Sequence, residues 1–167
     1  MRGLIKTNGF FLMPKPYRKS KTPRGAFGTY IRFSRTMGVK IFDFHNCKTV
    51  TLKNIEEEIR NIKYAYRKGV GPKFFKLVKI IKPVKEIRSD DTYFKVYYGI
   101  VMGHLNGYQK NYIGDRELDR AENILAAKGI SFSDCHPGNL IYTGKTKFKV
   151  CDFSARYFRI IKPRKKR

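Results

Sequence analysis

Apolar residues recur along this chain with two different spacings, and the spacings predict its elements. Residues 26–33, "AFGTYIRF", and 38–44, "GVKIFDF", are β-branched and aromatic runs, and "SRTMG" can turn between them, which predicts two strands. Over 52–68, "LKNIEEEIRNIKYAYRK", the residues Ile55, Ile59, Ile62 and Tyr66 fall on one face of a helix, which Gly69, Gly71 and Pro72 end. A basic, apolar stretch follows, and then "TYFKVYYGIVMGHL" at 92–105, a long β-prone run interrupted by glycines. Asp115 is placed to cap a second helix, "RELDRAENILAAK", with Leu118, Ala121 and Leu125 on its buried stripe and Gly129 as its stop. Near the end, "NLIY" and "KFKVCDF" read as two short strands joined by "TGKTK". Strands come mostly first, then a helix and a hairpin, so the expected class is α+β rather than a doubly wound sheet.

Composition narrows this. A 41% hydrophobic fraction with 14% aromatic residues supplies enough apolar surface to offset the entropy of ordering, which argues against a disordered chain. At 167 residues the simplest expectation is a single domain with a real core. Charge changes the picture more. The net charge of +24 comes from 37 basic against 13 acidic residues, and residues 1–24, 59–85 and 153–167 carry basic side chains and no acidic ones. Such a surface holds phosphate-rich partners, whether nucleic acid, an anionic membrane or a phosphorylated cofactor; the plain alternative is a solvated basic surface. Residues 1–24, with Pro14, Pro16 and Pro23 among lysines and arginines, read as a basic arm, and 159–167 as a basic tail.

Cys47, Cys135 and Cys151 are odd in number and never in a CxxC spacing, which argues against a disulfide scaffold or an ordinary zinc site and fits a reducing compartment. The apolar run Phe10–Met13 is too short for a signal-peptide core or a membrane span, and Arg2 stands where myristoylation needs glycine. The expectation is a soluble protein of the cytoplasm, without a membrane span.

The chemistry concentrates in residues 131–154, "SFSDCHPGNLIYTGKTKFKVCDFS". The Pro-Gly pair predicts a tight loop on which Asp134 and Asn139 converge, and a hairpin would bring Asn139 near Asp152. One amide and one carboxylate oxygen suit Mg²⁺, which takes its other ligands from water and substrate phosphates. Asp134 is then placed to take a proton from a hydroxyl nucleophile. The alternative on these residues alone is that Asp134 and Asn139 stabilise the loop and Asp152 closes a strand.

"D-x-H-P-x-N", followed thirteen residues later by "DF", resembles the catalytic loop and metal motif of the protein-kinase-like superfamily. The HPGN spelling is similar to that of lipopolysaccharide kinases, small-molecule phosphotransferases and RIO-type kinases. Further pieces follow in order over about residues 25–158. "GAFG", with Gly25 and Gly28, resembles the second half of a glycine-rich phosphate loop. "GVKIF" resembles the strand of the phosphate-binding lysine, here Lys40, and "IVMGHLNGY" the hinge where adenine docks, with Met102 as gatekeeper beside His104 and Leu105. Among Glu56, Glu57 and Glu58, which turn about 100° per residue on a helix, only Glu58 flanks the Ile55/Ile62 face and can partner Lys40.

The resemblance implies a bilobal fold with an antiparallel N-lobe sheet at about 25–105 and a minimal C-lobe at about 106–158, truncated after the DFG-like motif. It also implies ATP and Mg²⁺ as cofactors, Asn139 and Asp152 as metal ligands, and Asp134 as base. Four departures accompany it. Ser154 stands where the DFG glycine is expected, and Phe132-Ser133 replaces the usual His-Arg. His136 replaces the lysine that contacts the transferred phosphoryl group; its alternative is a loop histidine bonded to backbone. Fifteen residues follow Asp152, which leaves no room for an activation segment, so a partner or a dimer mate would have to present the substrate.

Two functions follow. One is a phosphotransferase moving the γ-phosphate of ATP to a hydroxyl acceptor, including one on a protein, as a serine/threonine kinase does. The other is a weak or inactive kinase-like binding module acting through its basic arms on nucleic acid or an acidic protein. Brevity fits a compact viral or phage version of the fold, working in the host cytoplasm. A nucleophile pair of Cys47 with His45, or Cys135 with His136, has little behind it, because sequence neighbours rarely face each other.

Overall fold

A computed structural model of the protein describes residues 5–7, 9–17, 24–25, 28–42, 50–85, 92–144 and 147–161. The class is α+β, as expected, and the chain divides into two compact units. One comprises residues up to Thr51 together with Phe75–His104; the other comprises Leu52–Phe74 and Leu105 onward.

The first unit is built on a sheet. Its strands are β1 (Lys6–Thr7), β2 (Phe10–Leu12), β3 (Arg24–Gly25), β4 (Gly28–Arg32), β5 (Met37–Phe42), β6 (Phe74–Lys85) and β7 (Thr92–Gly103), in the spatial order β1-β2-β6-β7-β5-β4-β3. β4, β5 and β7 pair antiparallel, with Tyr30 opposite Lys40 and Lys40 opposite Ile100. Alternation decides what each face carries. Ile31, Val39, Ile41 and Val101 point to one side, where they pack with Phe33, Val78, Ile80 and Tyr97. Each such fully buried side chain stabilises the unit by about 1.5–3 kcal/mol. Tyr30, Lys40 and Met102 lie on the opposite side.

Two findings here differ from the sequence reading. The segment expected as an arm supplies β1 and β2, and β2 runs parallel to β6 with Phe11 opposite Ile80. Phe11 and Met13 pack against the core, so their apolar area outweighs the basic residues around them. The basic stretch before residue 92 is β6: its Val78 and Ile80 are buried, while Lys79, Lys82 and Lys85 remain exposed.

The second unit packs helix α1 (Leu52–Arg67), helix α2 (Asp115–Ala127), the pair β8 (Ile130–Phe132) and β11 (Phe158–Ile160), and the hairpin β9 (Leu140–Tyr142) and β10 (Phe148–Val150). Gly129, at φ 78°, ends α2 in the left-handed region and turns the chain into β8. Phe153 and Phe158 meet at 5.5 Å between ring centroids, and Phe132 joins them at 6.1 Å from Phe158.

Two expectations about the helices are corrected. The buried face of α1 is Ile55, Glu58, Asn61, Ile62 and Ala65; Tyr66 is exposed and Ile59 only half-buried. Polar residues fit on that face because Asn61 bonds to backbone. The α2 N-cap is Gly114, not Asp115, and no side chain caps it. Asp115 and Glu117 instead sit in the first turn, where negative charge complements the helix dipole. Ala26 and Phe27 of "GAFG", the ends of both predicted N-terminal strands, His45, Cys47, much of the arm and the final "KPRKKR" lie outside the described residues.

Candidate functional site

The densest chemistry lies in the second unit, on the loop after β8. Register holds that loop's start, since Phe132 pairs with Phe158 and the Ser133 N–H donates to the Tyr157 carbonyl at 3.0 Å. His136 has extended backbone and caps a single 3-10 turn, Pro137–Asn139: its Nδ1 accepts from the Gly138 N–H at 3.0 Å. Proline at the first position suits the turn, because its missing N–H would find no partner there. A Cβ on Gly138 would come within 2.7 Å of the His136 ring, so a larger residue there would push that ring out of its capping position.

The turn delivers Asn139 to Asp134. The Asn139 amide nitrogen donates to the Asp134 carboxylate at 2.9 Å and to the Asp134 carbonyl at 3.0 Å. Both donors are thereby engaged, which leaves the Asn139 amide oxygen as its ligand-capable end. The other Asp134 carboxylate oxygen is 3.7 Å from His136 Nε2. Asn139 thus holds Asp134 in one orientation, and the Asp134 side chain keeps 35% of its exposure, open to solvent.

The hairpin brings the third residue alongside. Leu140 is opposite Val150, and the Cys151 N–H donates to the Asn139 carbonyl at 3.1 Å, so Asp152 follows directly on the strand bonded to Asn139. The Asp152 carboxylate accepts from the Ser154 N–H at 3.1 Å. Ser154 therefore serves Asp152 through its backbone, where the resemblance expects glycine. Among the described residues, no three of His, Cys, Asp and Glu converge as a metal cluster. The two residues expected as metal ligands, Asn139 and Asp152, offer one amide and one carboxylate oxygen, donor types that Mg²⁺ prefers to a softer metal.

Two residues bonded to this segment, one buried and one exposed, escaped the sequence reading. Asn61 of α1, 4% exposed, donates to the carbonyls of Phe153 and Phe158 at 3.1 and 3.2 Å, which fixes the backbone beside Asp152. Gln109 donates to the Gly138 carbonyl. Burial first, then the charges of Glu122 and Asp134, push the Cys135 thiol up to about 11, which disfavours the thiolate a nucleophile needs. Glu58 is buried on α1 at 3% exposure.

The first unit carries the remaining predicted residues. Gly25 and Gly28 face each other across the β3–β4 hairpin. A Cβ on Gly28 would come within 2.5 Å of the Ile41 carbonyl oxygen, so that backbone packs directly onto β5, next to the Lys40 stem. Lys40 is half-buried, with Nζ 5.5 Å from the Phe42 ring centre. Met102 is buried opposite Gly38, and the His104 N–H donates to the Thr36 carbonyl at 2.7 Å. Leu105 begins the second unit, and Lys40 and Glu58 likewise belong to different units.

Tyr30 was not singled out in the sequence, yet it lies among these residues. Its ring rests on Gly38, where a Cβ would fall 2.1 Å from the Tyr30 hydroxyl. The hydroxyl shares a 3.2 Å hydrogen bond with His104 Nδ1, and the two rings stack at 6.2 Å. Burial first, and then the Arg32 charge, lower the His104 pKa, which keeps that ring neutral. The available sequence signal was alternation, which puts Tyr30 on the Lys40 side two residues after Gly28.

No protein-family model matches this chain, and no curated protein is significantly similar to it. Among the described residues, no helix is long and apolar enough to cross a membrane.

Proposed function

We propose that this protein is an ATP- and Mg²⁺-dependent phosphotransferase of protein-kinase-like architecture, acting on a hydroxyl acceptor. The observation that carries the proposal is the Asp134–Asn139 lock, with Asn139 bonded in turn to the strand that presents Asp152. The Asn139 bonds fix an accessible carboxylate in one orientation, which is what a general base at this position needs. The sheet supports the same reading, since the Lys40 strand lies between the Gly28 hairpin and the strand that carries Met102 and ends at Gly103, just before His104.

In this reading Asp134 accepts the acceptor's proton as the hydroxyl oxygen bonds to the γ-phosphorus and the bond to the ADP oxygen breaks. Asn139 holds Asp134 in one orientation and, with Asp152, offers oxygens to Mg²⁺, which when bound neutralises phosphate charge. Lys40 binds phosphate oxygens, and the base docks along Met102–His104. His136 works as a loop cap and a neighbour of Asp134, which favours the backbone-bonded alternative for this residue over a phosphoryl contact.

The test is a thermal-shift titration with ATP, with and without Mg²⁺, on wild type and Asp152→Ala, alongside tripolyphosphate. A ligand binding only the native state at a hundredfold over its Kd adds about 2.7 kcal/mol of stability. A Mg²⁺-dependent shift abolished in Asp152→Ala is expected. A shift that tripolyphosphate reproduces would favour the basic binding module instead.

A further inference from the structure

Strands β6 and β7 are neighbours in the sheet, and their two faces differ in what they meet. Val78 and Ile80 of β6, with Tyr97 and Val101 of β7, enter the core. Alternation therefore turns Phe75, Leu77 and Lys79 of β6, and Phe94, Val96 and Tyr98 of β7, to the opposite face. Lys79 Nζ lies 6.0 Å from the Tyr98 ring centre, so the two sets share that face. On it Phe94 is 59% and Val96 43% exposed, and Phe75, Leu77 and Lys79 are exposed as well. Single exposed apolar residues are ordinary, but a stripe of them along two neighbouring strands marks a contact surface.

Charge selects the occupant. The charged residues of β6 and β7 are Lys76, Lys79, Lys82, Lys85 and Lys95, and neither strand carries an acidic side chain. Lys79 stands inside the stripe, two residues from Leu77 and beside the Tyr98 ring, not at its rim. A lipid bilayer would draw that ammonium out of water, and an apolar protein surface would leave it without a counter-charge. A single nucleic-acid strand answers both needs, because each unstacked base offers a flat face for an aromatic ring and brings a phosphate with it. Bases in a duplex are stacked on one another and hide those faces.

We propose that this sheet face binds single-stranded nucleic acid without sequence preference. Bases stack on Phe94 and lie against Val96 and Leu77, while Lys79 and the neighbouring lysines hold phosphates. The surface belongs to folded strands, so it is distinct from the basic arm and tail, and it stands independently of phosphotransfer.

Fluorescence anisotropy of the full chain with a labelled strand of about twelve thymidines, at about 150 mM salt, tests this. Phe94→Ala should weaken binding about fivefold or more. Lys79→Gln should weaken it too, and reduce the slope of log K against log salt by about 0.7. Both side chains are exposed, so neither change opens the core. An abasic strand of the same length should bind more weakly, and equally to Phe94→Ala and wild type. Asp152→Ala should bind the thymidine strand like wild type, which separates this result from the phosphotransferase reading. The proposal is overturned if Phe94→Ala binds the strand like wild type, or if the abasic strand binds as tightly. Displacement of the strand by Mg²⁺-ATP would also overturn it, by locating the strand at the nucleotide site. So would a larger loss in Phe94→Ala for anionic vesicles or polyglutamate than for the strand, which would assign the face to a membrane or an acidic protein.

Discussion

Replacing Asn61 with leucine tests whether the backbone beside Asp152 is held by helix α1. The side chain is buried, and its amide nitrogen serves two carbonyls, those of Phe153 and Phe158. Leucine has nearly the same volume, so packing is largely kept while both donors are lost. A buried carbonyl left without a donor costs about 1–3 kcal/mol, or about 2–6 kcal/mol for the pair. Burying an apolar group in place of an amide returns up to about 2 kcal/mol. Taking the middle of each range, about 4 kcal/mol lost and about 1 kcal/mol returned, the expected net loss is about 3 kcal/mol, or roughly 6–12 °C in Tm for a chain of this size. Chemical denaturation with an unchanged m-value is the assay, because a changed slope would mean that a different state was being compared. If the reasoning holds, the Mg²⁺-dependent ATP shift should also shrink under conditions where the variant is fully folded. A loss below about 0.5 kcal/mol, the range of an ordinary surface substitution, would refute the claim that these two bonds hold the segment.

In the proposed reading the base docks along Met102–His104, where the Tyr30 ring is stacked on His104, so the base would displace that ring. Tyr30→Ala should then tighten ATP binding about fivefold or more, by sparing a hydrogen bond and a stacking contact worth about 1–3 kcal/mol together; equal or weaker binding in calorimetry would place the base elsewhere. Asp134→Asn should fold and bind Mg²⁺-ATP like wild type while losing at least a hundredfold in radiolabelled phosphate transfer, since general-base catalysis contributes about 10²–10⁴. Burial, followed by the Glu117 interaction, raises the Tyr142 pKa from 10.0 to about 12. Above pH 10 the unfolded chain therefore releases a proton that the native state keeps, and stability should fall with rising pH between about 10 and 12. Denaturation curves across that window should be flatter for Tyr142→Phe than for wild type.

Local pattern made much of this structure legible. β4, β5 and β7 were announced by their β-branched and aromatic runs, and the β9–β10 register puts Asn139 beside the Asp152 strand as the hairpin signal implied. The Asp134–Asn139 contact spans five residues across a Pro-Gly turn, so composition and spacing sufficed. What stayed hidden depends on distant partners. β6 read as a basic stretch because Phe75 and Leu77 are exposed among lysines, and only its neighbours reveal that Val78 and Ile80 face a core. β2 pairs in parallel with a strand about seventy residues away, which no hairpin signal can announce.

Asn61 shows the same limit at the candidate site. Its partners lie 92 and 97 residues along the chain, so on the helix it looked like one more polar position. That separation also gives it a use. A loop assembled from local turns can form without reporting on the rest of the unit, whereas the Asn61 bonds exist only when α1 is docked. Asp152 therefore sits on a segment whose backbone is completed by a distant helix, while Asp134 and Asn139 are completed by their own loop. Perturbing α1 should consequently affect metal-dependent nucleotide binding through Asp152 before it disturbs the Asp134–Asn139 pair. Hydrogen exchange can separate the two, because the Ser154 amide bonded to Asp152 should lose protection in Asn61→Leu while the Asn139 amide keeps its bond to the His136 carbonyl.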